Sequence, residues 1–218
     1  AKNRILLMGR DVSTKYTLRG AVMYERIARY IITAAKVRKG NYMAFFPSYK
    51  VMEEVYNYFL SDAGEIDSVI QSQSMGEAER EEFLGMFETD RENSLVGFCV
   101  MGGIFSEGID LTEDRLIGAV IVGTGLPQVC NDREIVKQYF DEMGMRGFDY
   151  AYLYPGMNKV LQSAGRVIRT ETDRGLILLL DDRFSQRQYR EIFPREWEGC
   201  RICSADTLTA LAEEFWNG

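Results

Sequence analysis

Two arginines three residues apart, preceded by a glutamine, are the strongest chemical signal in this 218-residue sequence. Gln162, Arg166 and Arg169 fall in the string QSAGRVIR, ahead of an apolar segment at residues 176–180. Residues three or four apart on a helical turn lie on one side, so these side chains are expected to reach one object. Gly165, between them, lets a backbone or a ligand come close. Guanidinium forks and an amide suit a phosphate that gains charge during transfer, so the string predicts phosphate chemistry rather than a helix cap with surface arginines.

A glycine-rich loop with two carboxylates is the second signal. The loop starts at Gly102, after a predicted strand at residues 95–101, and it contains Glu107 and Asp110. In α/β sheets, ligands gather in the loops that follow the carboxyl ends of the strands. Alone, this loop would be interpreted as a turn, but the arginine string some fifty residues later makes a ligand site the better interpretation.

The composition limits the classes of protein that fit. The chain is 46% apolar, which is enough for a substantial core, and it contains no histidine, which excludes imidazole metal ligands and histidine acid–base catalysis. Four cysteines, no signal peptide and no long apolar run indicate a soluble, cytoplasmic protein without membrane contact. A net charge of −7 argues against a self-sufficient basic nucleic-acid module, although local arginine contacts with phosphates remain open.

The hydrophobic pattern alternates between strand-like and helix-like segments. Strands are predicted at residues 42–46, 67–70, 95–101, 116–122 and 176–180, with short extended segments at residues 4–7 and 12–18. Helices are predicted at residues 21–37, 49–60, 77–87, 133–143 and 204–216. Residues 127–159 are predicted to be less regular apart from their helix. This alternation predicts an α/β fold with a mostly parallel sheet and helices on both faces.

These motifs, in this order, resemble the second motor domain of superfamily-two helicases, in the XPD/DinG branch. Residues 106–110 (SEGID) resemble motif V of that family, and residues 162–169 resemble motif VI. Residues 45–49 (FFPSY) resemble the motif IV region, and residues 121–127 (IVGTGLP) resemble the strand and turn between motifs V and VI. The resemblance extends from about residue 42 to residue 184. It implies a RecA-like, three-layer domain that fills residues 1–218.

The resemblance also implies roles for individual residues. Arg166 and Arg169 would be arginine fingers, and Gln162 would position the γ-phosphate of ATP or the attacking water. Further contacts on the ATP side would come from Glu107, Gly108, Asp110 and Gly165. Contacts with single-stranded DNA would come from Ser48, Tyr49, Ser106 and Pro127. Ser48 is predicted to cap the helix at residues 49–60, and at this position its hydroxyl and the following backbone N–H groups suit a DNA phosphate.

Two parts of a complete motor are missing from the sequence. No phosphate loop of the form GxxxxGK[ST] occurs, and no strand ends in the acidic box that would hold Mg²⁺. ATP and Mg²⁺ are therefore expected to be shared with a first motor domain of the same polypeptide, and this chain alone is expected to be inactive. The first residue is Ala1 rather than Met, which favours a longer protein. Any iron–sulfur cluster is expected only in the missing part, because a lone Cys200-x-x-Cys203 is weak evidence of a metal site.

Two local patterns have more than one interpretation. Asp181 and Asp182 follow an apolar segment, an arrangement that resembles the Mg²⁺-binding end of a strand. Ion pairs of these carboxylates with Arg183 or Arg187 are the preferred interpretation. The aromatic residues between 148 and 154 either stack on single-stranded bases or pack within the segment.

The sequence as a whole predicts the C-terminal domain of an ATP-dependent DNA helicase, of a kind associated with DNA repair. Such an enzyme couples ATP hydrolysis to travel along single-stranded DNA and to duplex unwinding, with 5′ to 3′ polarity implied by the resemblance. Two alternatives stay open: a non-catalytic scaffold that keeps the helicase fold, and an RNA-directed motor.

Overall fold

A single sheet of seven strands organises the computed structural model, which describes residues 3–105, 111, 115–167 and 173–218. The strands are β1 (Arg4–Gly9), β2 (Asn41–Phe46), β3 (Asp67–Ile70), β4 (Leu95–Val100), β5 (Gly118–Val122), β6 (Gly175–Leu180) and β7 (Arg201–Cys203). Their order across the sheet is β3-β4-β2-β5-β6-β1-β7, and every pair of neighbours is parallel. All the strands therefore end at one side of the sheet, called here the carboxyl edge, and start at the opposite side, the amino edge.

Helices cover both faces of this sheet. They are α1 (Ala21–Val37), α2 (Tyr49–Asp62), α3 (Glu77–Gly85), α4 (Asn131–Glu142), α5 (Tyr154–Ala164), α6 (Arg187–Arg190) and α7 (Ala205–Asn217). A π-helical turn at Asp149–Leu153 leads into α5. Helices α1, α2 and α7 bury their apolar sides in one core, and α3 and α5 bury theirs in the other. None of the described helices is long and apolar enough to cross a membrane.

Alternation along the strands divides the apolar residues between the two cores. In β1, Leu7 points into the core under α1, whereas Leu6 and Met8 point into the core under α5. All six residues of β2 and of β6 are buried, because helices exclude water from both faces. A parallel sheet covered in this way has continuously apolar strands, and this is why the strands could be recognised in the sequence.

Most of the predicted elements agree with the observed ones, and the exceptions have physical reasons. The prediction that residues 127–159 are less regular apart from one helix is wrong, because the π-helical turn at Asp149–Leu153 and the first half of α5 lie there. Pro155 disfavours the interior of a helix, but it lies in the first turn of α5, where proline is tolerated.

The predicted extended segment at residues 12–18 is wrong: its end is a 3-10 turn at Tyr16–Leu18. Thr14, rather than strand pairing, holds this segment in place, because its N–H and its hydroxyl both donate to the buried Asp181 carboxylate. Strand β7 was missed because it has only three residues, two of them exposed.

Candidate functional site

Helix α5 and the turn after it carry Gln162 and Arg166, two of the residues predicted to contact phosphate. The helix starts at the carboxyl edge, where a Cβ on Gly156 would lie only 2.7 Å from the Thr124 carbonyl oxygen. Met157 and Val160 pack into the core beneath the helix. At 1.5 Å per residue, Gln162 lies about 9 Å further along the axis than Gly156. The predicted phosphate contacts therefore lie over the face of the sheet, away from the carboxyl edge.

The end of α5 presents two of these residues to the surface. Gln162 and Gly165 are exposed, and Arg166 is half-buried in the turn that follows the helix. This turn is fixed because the Arg166 N–H donates to the Ser163 carbonyl at 3.3 Å and Val167 is buried. Gly165 has an ordinary helical φ of −68°, and the atoms nearest to a Cβ there belong to its own helix. The sequence predicted that a backbone or a ligand comes close to Gly165. Among the described residues, no element other than its own helix does so.

Several predicted site residues cannot be compared with the structure. Arg169 of the arginine string lies outside the described residues. The same is true of four residues of the glycine-rich loop, namely Ser106, Glu107, Gly108 and Asp110. Their predicted roles stay predictions.

Ser48 and Tyr49 lie at the carboxyl edge, where β2 passes into α2. The Ser48 hydroxyl oxygen accepts a hydrogen bond from the Val51 N–H at 3.4 Å and so caps α2, as the sequence predicted. This cap uses the oxygen as an acceptor and leaves the hydroxyl hydrogen able to donate to an anion. Both residues are half-buried.

Gln71 is a site residue that the sequence analysis missed. Its side chain is 3% exposed, and its Oε1 accepts from the Val100 N–H at 3.0 Å while its Nε2 donates to the Tyr49 hydroxyl at 3.0 Å. Burial raises the pKa of Tyr49, so the phenol stays neutral. One amide therefore ties the ends of β3 and β4 to the start of α2. A single glutamine after a four-residue strand follows no pattern that would have revealed this role.

The turn after β5 places Pro127 at the same edge. Gly123 and Gly125 have φ values of +83° and +64°, which side-chain-bearing residues rarely adopt. A Cβ on Gly125 would also lie 2.6 Å from the Gly156 carbonyl oxygen. The backbone of this turn and the backbone of α5 are therefore in direct contact, with no side chain between them.

A buried ion pair follows β6. Asp181 is fully buried and accepts from the Arg183 Nε at 2.7 Å, from the Thr14 N–H at 2.9 Å and from the Thr14 hydroxyl at 2.7 Å. Asp182 pairs instead with Lys15 at 2.7 Å. The predicted pairing with Arg183 is confirmed for Asp181, whereas Arg187 pairs with Glu191 and contacts neither aspartate.

The surroundings of Asp182 lower its pKa. Burial acts in the opposite direction, but hydrogen bonds with Lys15 and Ser13 and the charge of Lys15 outweigh it. This carboxylate therefore stabilises the fold above its unfolded-state pKa, and the contribution is lost as the pH falls through the lower pKa of the folded state.

The acidic and cysteine side chains that could ligate a metal ion are dispersed or engaged elsewhere in the described part of the chain. No group of three or more histidine, cysteine or acidic side chains within them is arranged to hold a metal ion. The oxygens of Asp181 are engaged by Arg183 and Thr14. Burial raises the pKa of Cys200, and raises that of Cys203 to about 12, so both thiols are protonated at neutral pH.

The aromatic residues before α5 mostly contact one another. Tyr150 stacks on Phe140 with ring centroids 4.0 Å apart, and Phe148 stacks on Tyr152 at 5.4 Å. The Tyr152 hydroxyl donates to Glu134 at 2.6 Å, which raises the pKa of the phenol to about 12. Packing within the segment therefore accounts for Tyr150 and Tyr152, while Phe148 and Tyr154 keep exposed ring surface.

Comparison with known proteins agrees with this fold. Residues 31–200 match the model of the helicase C-terminal domain family. The chain is 28% identical over 189 residues to the ATP-dependent DNA helicase XPD of Sulfolobus acidocaldarius, covering 84% of this chain and 32% of that protein. It is 26% identical over 222 residues to the general transcription and DNA repair factor IIH helicase subunit XPD of Schizosaccharomyces pombe, covering 94% of this chain and 28% of that protein.

A solved structure of apo XPD superposes with a TM-score of 0.76 at 22% identity, covering 92% of this chain and 40% of that one. The fold is therefore the RecA-like α/β fold.

The chain belongs to the helicase C-terminal domain family. Within that family it is a second, RecA-like domain of the XPD/DinG branch, as the sequence predicted. It spans about a third of the length of the curated relatives that it matches.

Proposed function

We propose that this chain is the C-terminal motor domain of an ATP-dependent DNA helicase and works in one polypeptide with a first motor domain. One observation carries the proposal: the domain has two separate surfaces joined by direct backbone contact. Of the phosphate-directed residues, Gln162 lies on α5 and Arg166 in the turn directly after it, whereas Pro127 lies at the carboxyl edge. The contact between Gly125 and Gly156 joins the two. A movement of α5 during the ATP cycle would therefore shift the turn that carries Pro127.

On the ATP side, the proposed role of Arg166 and Arg169 is to stabilise the charge that develops on the γ-phosphate during transfer. Gln162, exposed one turn earlier, orients the attacking water or the γ-phosphate. Gly165, Glu107, Gly108 and Asp110 complete this side of the site. The phosphate loop and the Mg²⁺ ligands are proposed to belong to the first motor domain, since neither motif occurs in this sequence.

The carboxyl edge is the proposed track for nucleic acid. Ser48 offers a hydroxyl hydrogen at the start of α2, beside Tyr49, and Pro127 follows the glycine turn. Ser106 is proposed to contribute from the glycine-rich loop. The names of the Sulfolobus and fission yeast relatives support DNA as the nucleic acid and DNA repair as the setting. Closure and opening of the cleft between the two domains would step the enzyme along single-stranded DNA in the 5′ to 3′ direction.

The isolated chain is expected to hydrolyse no ATP above background. The reason is that it contains no phosphate loop and no suitable group of Mg²⁺ ligands among its described residues. The measurement is phosphate release by the purified chain with Mg²⁺ and single-stranded DNA. Robust metal-dependent turnover would refute the assignment of the missing half to another domain.

Single-stranded DNA is expected to bind the isolated chain only weakly. The chain has a net charge of −7 and provides half of the proposed track. The logarithm of the association constant should fall linearly with the logarithm of the salt concentration. Fluorescence anisotropy with a labelled oligonucleotide measures the affinity and its dependence on salt. The Lys50→Ala variant, changed beside Tyr49, should bind DNA more weakly than the Lys36→Ala variant. Nanomolar affinity at physiological salt would show that the chain alone forms a complete binding site.

A further inference from the structure

A recess at the amino edge of the sheet has no part in the proposed helicase function. Its volume is about 270 Å³, and its walls come from the end of α1, the end of α7 and the starts of three adjacent strands. Gly40, Ile117 and Arg174 directly precede β2, β5 and β6. The recess therefore opens on the side of the sheet opposite to Ser48 and Pro127.

Positive charge dominates the lining of the recess. Arg38, Lys39 and Arg174 all line it, and no carboxylate side chain does. Within the described ranges, none of these three cations forms an ion pair with an acidic side chain. In an acidic protein, three cations around one small cavity form a local site for an anion.

Two side chains that line the recess also carry a buried hydrogen-bond donor. The Nε of Arg174 and the indole Nε1 of Trp216 are buried and have no acceptor in the described part of the chain. The other end of the Arg174 guanidinium donates to the Phe215 carbonyl, which holds the side chain in place. The guanidiniums of Arg38 and Arg174 lie 5.7 and 5.8 Å from the centroid of the Trp216 ring. Buried donors without acceptors are costly, and a small rotation of either side chain toward an acceptor-rich ligand in the recess would remove that cost.

We propose that this amino-edge recess binds a small phosphorylated anion through a di- or triphosphate group. Phosphate oxygens only accept hydrogen bonds, and they can accept from several directions at once, which suits donors that surround a cavity. A planar carboxylate with a single charge would satisfy fewer of them. The volume lies just below the range of roughly 300–1,000 Å³ that is typical of small-molecule pockets, so it favours a polyphosphate group over a strand of nucleic acid.

This site is distinct from the proposed ATP site. Trp216 packs against the core under α1 and α7, whereas α5, which carries Gln162 and directly precedes Arg166, packs against the core on the other face. A ligand in the recess would therefore leave Gln162 and Arg166 accessible.

The two tryptophans of the chain make the test direct. In a ¹H–¹⁵N spectrum each indole N–H gives one peak, and the Trp216→Phe variant assigns them. Titration of the chain with pyrophosphate, without Mg²⁺, should shift the Trp216 peak with saturation and leave that of Trp197, which is 3% exposed, unchanged. No movement of the Trp216 peak at millimolar pyrophosphate would overturn the proposal.

Three variants separate the recess from general electrostatics. Lys39→Ala and Arg174→Gln should each weaken pyrophosphate binding about tenfold, as expected for the loss of a charge-assisted hydrogen bond. Lys36→Ala removes an equal charge from the last turn of α1, outside the recess, and should change binding less than about twofold. Equal effects of Lys36→Ala and Lys39→Ala would refute the site. Tighter binding of a single-stranded oligonucleotide than of pyrophosphate, with the same shift and the same dependence on Arg174, would make the recess a nucleic-acid contact and overturn the proposal.

Discussion

Replacing Arg166 by alanine in the full-length polypeptide is expected to lower ATP turnover by about 10³–10⁵, the range measured for arginine fingers. A guanidinium directed at the γ-phosphate acts mainly as charge develops in the transition state, so nucleotide affinity should change far less than turnover. Lysine keeps the charge but loses the planar fork, and Arg166→Lys should therefore restore little activity.

The measurement for Arg166 is the ATPase rate per folded molecule, together with nucleotide affinity and melting temperature. Arg187→Ala is the matched control, because Arg187 is exposed and pairs only with Glu191 in the described part of the chain. If Arg166 merely ties the end of α5 to its neighbours, Arg166→Ala will lower the melting temperature while the folded enzyme keeps its turnover. That result would remove the arginine-finger role.

Replacing Asp181 by alanine is expected to destabilise the domain by about 3–5 kcal/mol, because it leaves the charge of Arg183 without its partner. The Asp181 carboxylate is fully buried and accepts from Arg183 and from two groups of Thr14. For a domain of this size, such a loss lowers the melting temperature by roughly 6–20 °C. Thermal unfolding followed by circular dichroism gives the value.

Asp182→Ala provides the control for Asp181. Its partner Lys15 is 40% exposed, and a solvent-screened pair of this kind contributes at most about 1 kcal/mol. The double variant Asp181→Ala, Arg183→Met should recover part of the lost stability, since it leaves no buried charge without a partner. Equal melting temperatures for Asp181→Ala and Asp182→Ala would contradict the importance of the buried pair.

The sequence predicted the strands well because both faces of the sheet are covered. Strands such as β2 and β6 are buried along their whole length and therefore appear as continuous apolar runs. The segment at residues 12–18 was mispredicted because its conformation depends on Asp181, which lies 167 residues away from Thr14. That contact exists only because β1 lies next to β6 in the sheet, an order that the hydrophobic pattern does not contain.

The candidate site was predictable where a motif was present, and only there. The arginine string identified the helical turn at the end of α5, although the start of that helix at Tyr154 fell in a region predicted to be less regular. The segment at residues 45–49 identified the cap of α2 by Ser48. Gln71 and the contact between Gly125 and Gly156 were not predicted, because both join segments that are distant in sequence. The recess around Trp216 was missed for the same reason, since its walls come from five separate elements of the fold.

Strand displacement by the full-length polypeptide tests most directly whether this domain belongs to a DNA motor. The substrate is a DNA duplex with a 5′ single-stranded overhang, compared with a 3′ overhang and with the matching RNA. We expect release of the strand from the 5′-overhang DNA with ATP, and none with a non-hydrolysable ATP analogue or with the Arg166→Ala variant. Folded protein that binds DNA but separates no strand on any of these substrates would contradict the motor function and favour a non-catalytic scaffold.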